Sequence, residues 1–416
     1  MKYSVEIAKT TMEVEIHDKN LLGILHANNV EAPLTGGEEV KRALDNPINS
    51  RGLQEIVKPG EKVAIVTSDI TRPMPSKLVL PYILEELKKA GTKDNDITIV
   101  FALGSHRKHT EEEKKYLVGE EIYNRIKCID SDSKDFVHFG YTKNNTPIDI
   151  FRPVAEADRR ICLGNIEFHY FAGYSGGAKA IMPGVSTRAA IQANHSRMVD
   201  EKAHAGNLKT NPVRIDIEDT IKFVPIDFIL NVVLNENKEI IKAVAGHYID
   251  AHREGCRFLD NLYKISLREK ADVVISSIGG FPKDINLYQA QKALDNAKHA
   301  VKDGGIIILV ASCREGLGEK VFEDWIMAAE KPQDLIDRVK TKFELGGHKA
   351  AAIAMVLNKA RVFLVSELQA DFVKNIFLEP YQDVQSAYDS ALQIIGEDAK
   401  VILIPHGGSI LPYISR

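Results

Sequence analysis

Two histidines in this sequence each follow an aliphatic run that ends in small or polar residues. His106 closes Leu103-Gly-Ser-His106, and His169 closes Asn165-Ile-Glu-Phe-His169. An imidazole titrates near neutral pH and can therefore give or take a proton there. Two such groups on one cavity could serve opposite faces of a substrate carbon, which is what inverting a stereocentre needs. A polar cluster, Ser68-Asp-Ile-Thr-Arg-Pro73, supplies a carboxylate, a hydroxyl and a guanidinium in quick succession. The stretch from Phe171 to Gly184 holds glycines at 173, 176 and 177 before Lys179. Those glycines let backbone approach a ligand closely, and the lysine offers a compact cation or an amine nucleophile. This is not a Walker phosphate loop, because Ala178 stands where the glycine before lysine is required, and no GxGxxG occurs there. A Walker-type ATPase and a Rossmann dehydrogenase are both disfavoured. His195, in Ala193-Asn-His-Ser196, sits in no paired-ligand spacing and reads as structural from spacing alone, as do His247 and His252. Further on, Gln289 and Lys292 are three apart after the Gly279-Gly280 turn, so on a helix they share a face and could hold a carboxylate.

These residues need elements to carry them. Val63–Thr67, Ile97–Leu103 and Arg160–Gly164 read as buried strands, and Ser76–Ala90 as a helix with Leu78, Val79, Ile83, Leu84 and Leu87 on one face. Thr110-Glu-Glu-Glu113 fits a capping box at a helix start. A helix is expected over Ser186–Val199, and a hairpin over Ile226–Leu234 and Glu239–Ala245. A second series holds strands at Ala271–Ser277, Gly305–Val310, Arg361–Val365 and Lys400–Ile404, with a helix over Ile285–Lys302. Strands alternating with helices predict two α/β domains with mostly parallel sheets. The charged stretch Ser266–Lys270 places the boundary, giving residues 1–268 and 269–416, with the last segment returning to the first domain. Ligands of such sheets lie beyond the carboxyl ends of the strands, where His106, His169 and the Asp69 cluster all fall. The active site is expected in the cleft between the domains.

Composition narrows the class. In 416 residues, 44% are hydrophobic and 27% charged, an ordinary globular balance. The formal net charge of -4 lacks the footprint of a general nucleic-acid binder. No apolar run is long enough to span a bilayer, and Met1–Ile16 has no continuous apolar core of a signal peptide. The four cysteines, at 128, 162, 256 and 313, form no CxxC pair. Together these point to a cytoplasmic protein with reduced thiols.

The motifs Ser-Asp-x-Thr-Arg-Pro, Gly-x-His-Arg, Phe-His-x-Phe-Ala-Gly-x-Ser-Gly-Gly-x-Lys, Ala-Asn-His-Ser and Tyr-Gln-Ala-x-Lys occur here in that order. In them the chain resembles the nickel-dependent lactate racemase family, from about Leu44 to the C-terminal strand. The resemblance implies racemisation of D- and L-lactate, or of a closely related 2-hydroxy acid, by proton-coupled hydride transfer. It implies a nickel-pincer nucleotide cofactor, a pyridinium bisthiocarboxylic acid mononucleotide, covalently attached at Lys179 and made by separate biosynthetic proteins. By position, His195 would ligate nickel, which overturns its structural reading. Asp69, Ile70, Thr71 and Arg72 would line the cofactor site, with His106 and His169 as the acid/base pair. Arg72, Tyr288, Gln289 and Lys292 would bind substrate. The sequence departs from the pattern at Ala178 and Ala180, and His348 falls where some members place an aromatic pocket residue. Substrate identity therefore stays open. The alternatives are an epimerase of a larger 2-hydroxy or sugar acid, a non-catalytic binding protein for the nucleotide, and a Schiff-base lyase using Lys179.

Overall fold

The computed structural model describes residues 1–415. Its contacts divide the chain into two compact units, Val30–Asn261 and a second built from Met1–Asn29 with the chain from Leu262 onward. This division differs from the expected 1–268 and 269–416. The reason is a long-range pairing: Leu21–Ile24 lies parallel to Val401–Ile404, and Lys2–Ile7 and Thr10–Glu15 form an antiparallel hairpin. That hairpin adds Val5, Ile7 and Val14 to a core containing Ile275, Ile308 and Leu403. The last strand, Leu411–Ile414, pairs with Lys264–Leu267 in the same unit. It is thus the first segment of the chain, not the last, that joins the more distant unit.

The unit Val30–Asn261 is built on a six-stranded sheet. From edge to edge its strands are Ile240–Gly246, Phe228–Leu234, Arg159–Asn165, Val63–Ser68, Ile97–Ala102 and Lys127–Asp130. All neighbours are parallel except the antiparallel pair Phe228–Leu234 and Ile240–Gly246. The central strands read as unbroken aliphatic runs because helices and loops cover both faces. On one face, helix Ser76–Lys89 buries Val79, Leu80, Ile83, Leu84 and Leu87. Leu78, expected in that set, is instead 43% exposed. The buried positions advance by three and four residues per turn, which puts 80 on the core side and 78 off it. Gly91, with φ +80, ends the helix by letting the Thr92 amide turn back to the Leu87 carbonyl at 3.0 Å. The capping box forms as expected: the Glu113 amide donates to Thr110 Oγ1 at 3.2 Å, and the Thr110 amide to Glu113 Oε2 at 2.9 Å.

Chain order reverses in this sheet between Val63–Ser68 and Arg159–Asn165, the adjacent strands from which the topology runs outward in both directions. Such a switch point leaves a crevice beyond the strand ends. The expected helix over Ser186–Val199 is shorter, Arg188–His195, followed by a 3-10 turn Ser196–Val199. Thr187 caps it, its Oγ1 accepting the Ala190 amide.

The other unit holds a six-stranded, wholly parallel sheet in the order Glu379–Tyr381, Arg361–Val365, Val301–Val310, Ala271–Ser277, Val401–Ile404, Leu21–Ile24. Its first helix is Leu287–Ala297, shorter than the expected 285–302. The Ala300 amide folds back to Ala297, so the chain turns there and Val301 is free to begin pairing with Ala271. Among the described residues no helix is long and apolar enough to cross a membrane.

Candidate active site

The loops at the switch point carry most of the sequence-predicted residues. Asp69, Ile70, Thr71 and Arg72 follow the strand Val63–Ser68 directly. His106 follows its neighbour Ile97–Ala102, and His169 lies beyond Arg159–Asn165 on the other side. Because these strands are parallel, all three loops leave the same end of the sheet.

Asp69 is the anchor of the first group. Its carboxylate is 3% exposed and meets His106 Nδ1 through Oδ2 at 2.5 Å. Thr71 Oγ1 donates to the other oxygen, Oδ1, at 2.8 Å. Burial alone would push this carboxyl up. The hydrogen bond and charge of His106, the Thr71 hydroxyl and the charge of Arg72 outweigh it and hold Asp69 below the usual carboxylate range. An ionised Asp69 needs a proton on His106 Nδ1, so the lone pair of the neutral imidazole sits on Nε2.

The glycine-rich loop is fastened from beneath. The Gly177 amide donates to Asn231 Oδ1 at 2.8 Å, and Asn231 stands fully buried in the middle of Phe228–Leu234. Gly176 and Gly177 have φ of +74 and +59, which side chains rarely adopt. A Cβ on Gly177 would also lie 2.9 Å from the His252 ring. His252 Nε2 donates to the Ser175 carbonyl at 2.8 Å, and Arg253 Nη1 donates to its Nδ1 at 2.9 Å. Fully buried Arg214 holds the Ala172 carbonyl through Nε at 3.3 Å and the Tyr174 carbonyl through Nη2. After Lys179 the loop crosses to the His106 side, where the Gly104 amide donates to the Gly184 carbonyl at 2.8 Å. Lys179 therefore projects from a braced 3-10 turn, Gly177–Ala180. Burial, then the charges of Arg214 and Arg72, hold its ammonium well below the usual lysine range, which favours the neutral amine.

Phe171 gathers the second group. Its buried ring meets His169 edge-on at 4.5 Å and His195 at 4.9 Å between centroids, and Lys179 Nζ lies 5.9 Å from its centre. His169 Nδ1 accepts the Ala172 amide at 3.2 Å, so in the neutral ring the proton is on Nε2. Burial first, together with the positive charge of Arg72, pushes His169 well below the ordinary histidine value. His195 ends its helix with Nδ1 on Asn194 Oδ1 at 2.8 Å. Asn194 Nδ2 in turn donates to Asp216 Oδ2 at 2.9 Å, which fixes the amide's orientation. The chain Asp216–Asn194–His195 thus places a proton on Nδ1 and a lone pair on Nε2, the form in which an imidazole binds a metal.

Tyr288, Gln289 and Lys292 lie in the other unit, on the first turns of helix Leu287–Ala297. Asn286 caps that helix, its Oδ1 accepting the Gln289 amide at 3.0 Å. Gln289 is half-buried and Lys292 exposed on one face. Lys349 Nζ donates to the Tyr288 carbonyl at 2.5 Å and lies 3.9 Å from its ring centre. His348 is buried, accepting the Gly346 amide at Nδ1.

Several residues that shape the site are not flagged by the sequence reading. Asn231 carries a usable signal, a lone amide inside an aliphatic strand. Arg214 carries none, because its partners, the Ala172 and Tyr174 carbonyls, are remote in sequence.

Comparison with known proteins bears on this arrangement. Residues 7–206 match the lactate racemase N-terminal domain, and residues 267–411 the lactate racemase C-terminal domain. The lactate racemase of Thermoanaerobacterium thermosaccharolyticum is 33% identical, covering 98% of each chain. That of Lactiplantibacillus plantarum is 34% identical over 97% of each. The structure of the T. thermosaccharolyticum lactate racemase apoprotein superposes with a TM-score of 0.90, covering 99% of this chain and 100% of that one. A crystal structure of a Thermotoga maritima protein, 18% identical, shares the fold alone, with a TM-score of 0.64 over 93% of this chain and 100% of that one. From the matched domains and the full-length relatives, this chain belongs to the lactate racemase family.

Proposed function

We propose that this isomerase interconverts the enantiomers of a 2-hydroxy acid, lactate first among them. It would do so with a nickel-pincer nucleotide attached at Lys179 and ligated by His195. The observation that carries this reading is the grouping of His169, Lys179 and His195 about Phe171, beside the Asp69–His106 pair at one switch point.

The donor set fits such a cofactor. Among the described residues no group of three or more His, Cys, Asp or Glu is placed to hold a metal ion. A nickel centre here would thus bring most of its ligands with it and take one imidazole from the protein. His195 offers Nε2 in the metal-binding form, and imidazole suits nickel. Lys179, biased towards its neutral amine, suits covalent attachment to a carboxyl-derived group. When bound, the nucleotide would supply a reversible hydride acceptor at the substrate C2.

The protein's own groups then account for the proton. The C2 hydrogen of a 2-hydroxy acid is a poor acid, so its removal as hydride, with the hydroxyl proton going to a base, avoids a carbanion. His106 is set for that base role, with its Nε2 lone pair fixed by Asp69 at Nδ1. His169 turns Nε2 to the opposite face: a ring that has taken a proton from solvent at Nδ1, in place of the Ala172 bond, would pass its Nε2 proton to the carbonyl oxygen as it becomes a hydroxyl again, and would be left a neutral imidazole with its lone pair on Nε2. The return direction exchanges the roles. Arg72 would hold the carboxylate and keep the transient ketone bound; for Tyr288, Gln289 and Lys292, on the other unit, the substrate-binding role rests on the family resemblance alone. A local cation such as Arg72 explains why a small anionic substrate needs no basic surface on a chain of net charge -4. All four cysteines are free thiols, in keeping with a cytoplasmic setting where separate proteins make the nucleotide.

Mass spectrometry of the chain co-produced with the cofactor pathway tests the reading. The expected result is an adduct on the Lys179 peptide, with nickel in proportion. Racemase activity from protein with unmodified Lys179 would refute it.

A further inference from the structure

His109 is absent from every role given so far, yet it is one of the most tightly held imidazoles in the chain. Its side chain is 1% exposed and sits edge-on to Phe101 at 5.2 Å. Nδ1 meets Asp130 Oδ1 at 2.6 Å, and the His109 amide donates to Asp130 Oδ2 at 3.1 Å. Lys114 Nζ lies 3.2 Å from the same carboxylate. An ionised, doubly engaged Asp130 keeps the His109 proton on Nδ1. On the other side of the ring, Nε2 accepts the Ile70 amide at 3.1 Å. Ile70 lies between Asp69 and Thr71, the two residues bonded to His106.

These contacts join three neighbouring strand ends. Asp130 ends Lys127–Asp130, His109 lies in the loop after Ile97–Ala102, and Ile70 follows Val63–Ser68. The link works only in one tautomer, since a proton on Nε2 would face the Ile70 N–H. We propose that His109, oriented by Asp130, is a positioning residue: its Nε2 holds the Ile70 amide and so sets the Asp69 carboxylate against His106. The catalytic consequence rests on His106 being an acid/base group, as proposed above. The mechanical link does not.

Two variants separate the contacts. His109→Gln carries an amide oxygen to the level of Nε2 and keeps an acceptor for Ile70. His109→Asn reaches Asp130 but stops short of Ile70. In cofactor-free protein, amide exchange at Ile70 and the low-field Nδ1–H signal of His106 would be followed by NMR. The His109→Asn variant should speed Ile70 exchange about tenfold or more and lose the His106 signal, with His109→Gln close to wild type. In cofactor-loaded protein, kcat should fall about 10- to 100-fold for His109→Asn, the scale of a small misplacement of a reacting group. KM should barely move, and His109→Gln should restore most of the rate. Slow Ile70 exchange and normal kcat in His109→Asn, or equal losses in both variants, would overturn the proposal. If loaded wild-type protein racemises no 2-hydroxy acid while the exchange results hold, the racemase reading fails and the link between loops stands.

Discussion

Replacing Asp69 with Asn tests the electrostatic logic of the site with almost no change in shape. Asp69 is buried, with Oδ2 at 2.5 Å from His106 Nδ1 and Oδ1 accepting the Thr71 hydroxyl at 2.8 Å. In Asp69→Asn the Thr71 hydroxyl keeps the amide oxygen at the Oδ1 position, so the NH2 group falls opposite His106 Nδ1. That nitrogen must then become an acceptor, and the imidazole proton moves to Nε2, removing the proposed base. A hydrogen bond to a charged group contributes about 1.5–3 kcal/mol. At about 1.4 kcal/mol per tenfold in rate, its loss predicts a kcat lower by roughly 10- to 150-fold, towards the upper end because the tautomer is also wrong. The assay is racemisation of D- and of L-lactate, with rates expressed per adduct-bearing Lys179 so that cofactor loading does not enter. Adding Thr71→Val frees the amide to turn over and should recover part of the loss. A kcat for Asp69→Asn within about threefold of wild type would refute the reasoning.

Three further outcomes follow from the same geometry. Because the Asp69 carboxyl is held below its usual range, folding lowers its proton affinity. Its stabilisation is then full above the unfolded value near pH 4 and is lost as pH falls through the folded value. Denaturant unfolding should therefore show Asp69→Asn less stable than wild type at neutral pH, with the gap closing in acid. Asn231→Leu would strand the buried Gly177 amide and should cost about 1–3 kcal/mol in unfolding free energy, with reduced cofactor attachment at Lys179 visible by mass spectrometry. In cofactor-free protein, the pH profile for labelling Lys179 with an amine-selective reagent should level off at lower pH than those of exposed lysines. A profile like that of exposed lysines would show that burial and the charges of Arg214 and Arg72 do not set its state.

What could be read from the sequence was what is local. Val63–Thr67 and Ile97–Leu103 declare themselves as strands because both faces are buried, which leaves continuous aliphatic runs. The Thr110 capping box is legible because all its partners lie within four residues. His106 and His169 could be placed by strand-end logic alone. The errors have long-range causes. The early hairpin joins a unit remote in sequence, because the strand after it, Leu21–Ile24, pairs with Val401–Ile404 some 380 residues away. His195 carries no signal in its spacing, since Phe171 and Asp216 supply its setting. The end of helix Leu287–Ala297 was overrun because Lys298 to Ala300 are compatible with helix, and only the pairing of Val301 with Ala271 draws the chain into the sheet.

The central claim is inversion of a 2-hydroxy acid by two histidines on opposite faces. It is tested most directly by incubating cofactor-loaded protein with pure D-lactate, or in parallel with pure L-lactate, and following both enantiomers by chiral chromatography. The account predicts approach to an equal mixture from either side, with His106→Ala and His169→Ala each abolishing it. Full activity in both variants, or no interconversion of lactate or any other 2-hydroxy acid by protein carrying the Lys179 adduct, would contradict it.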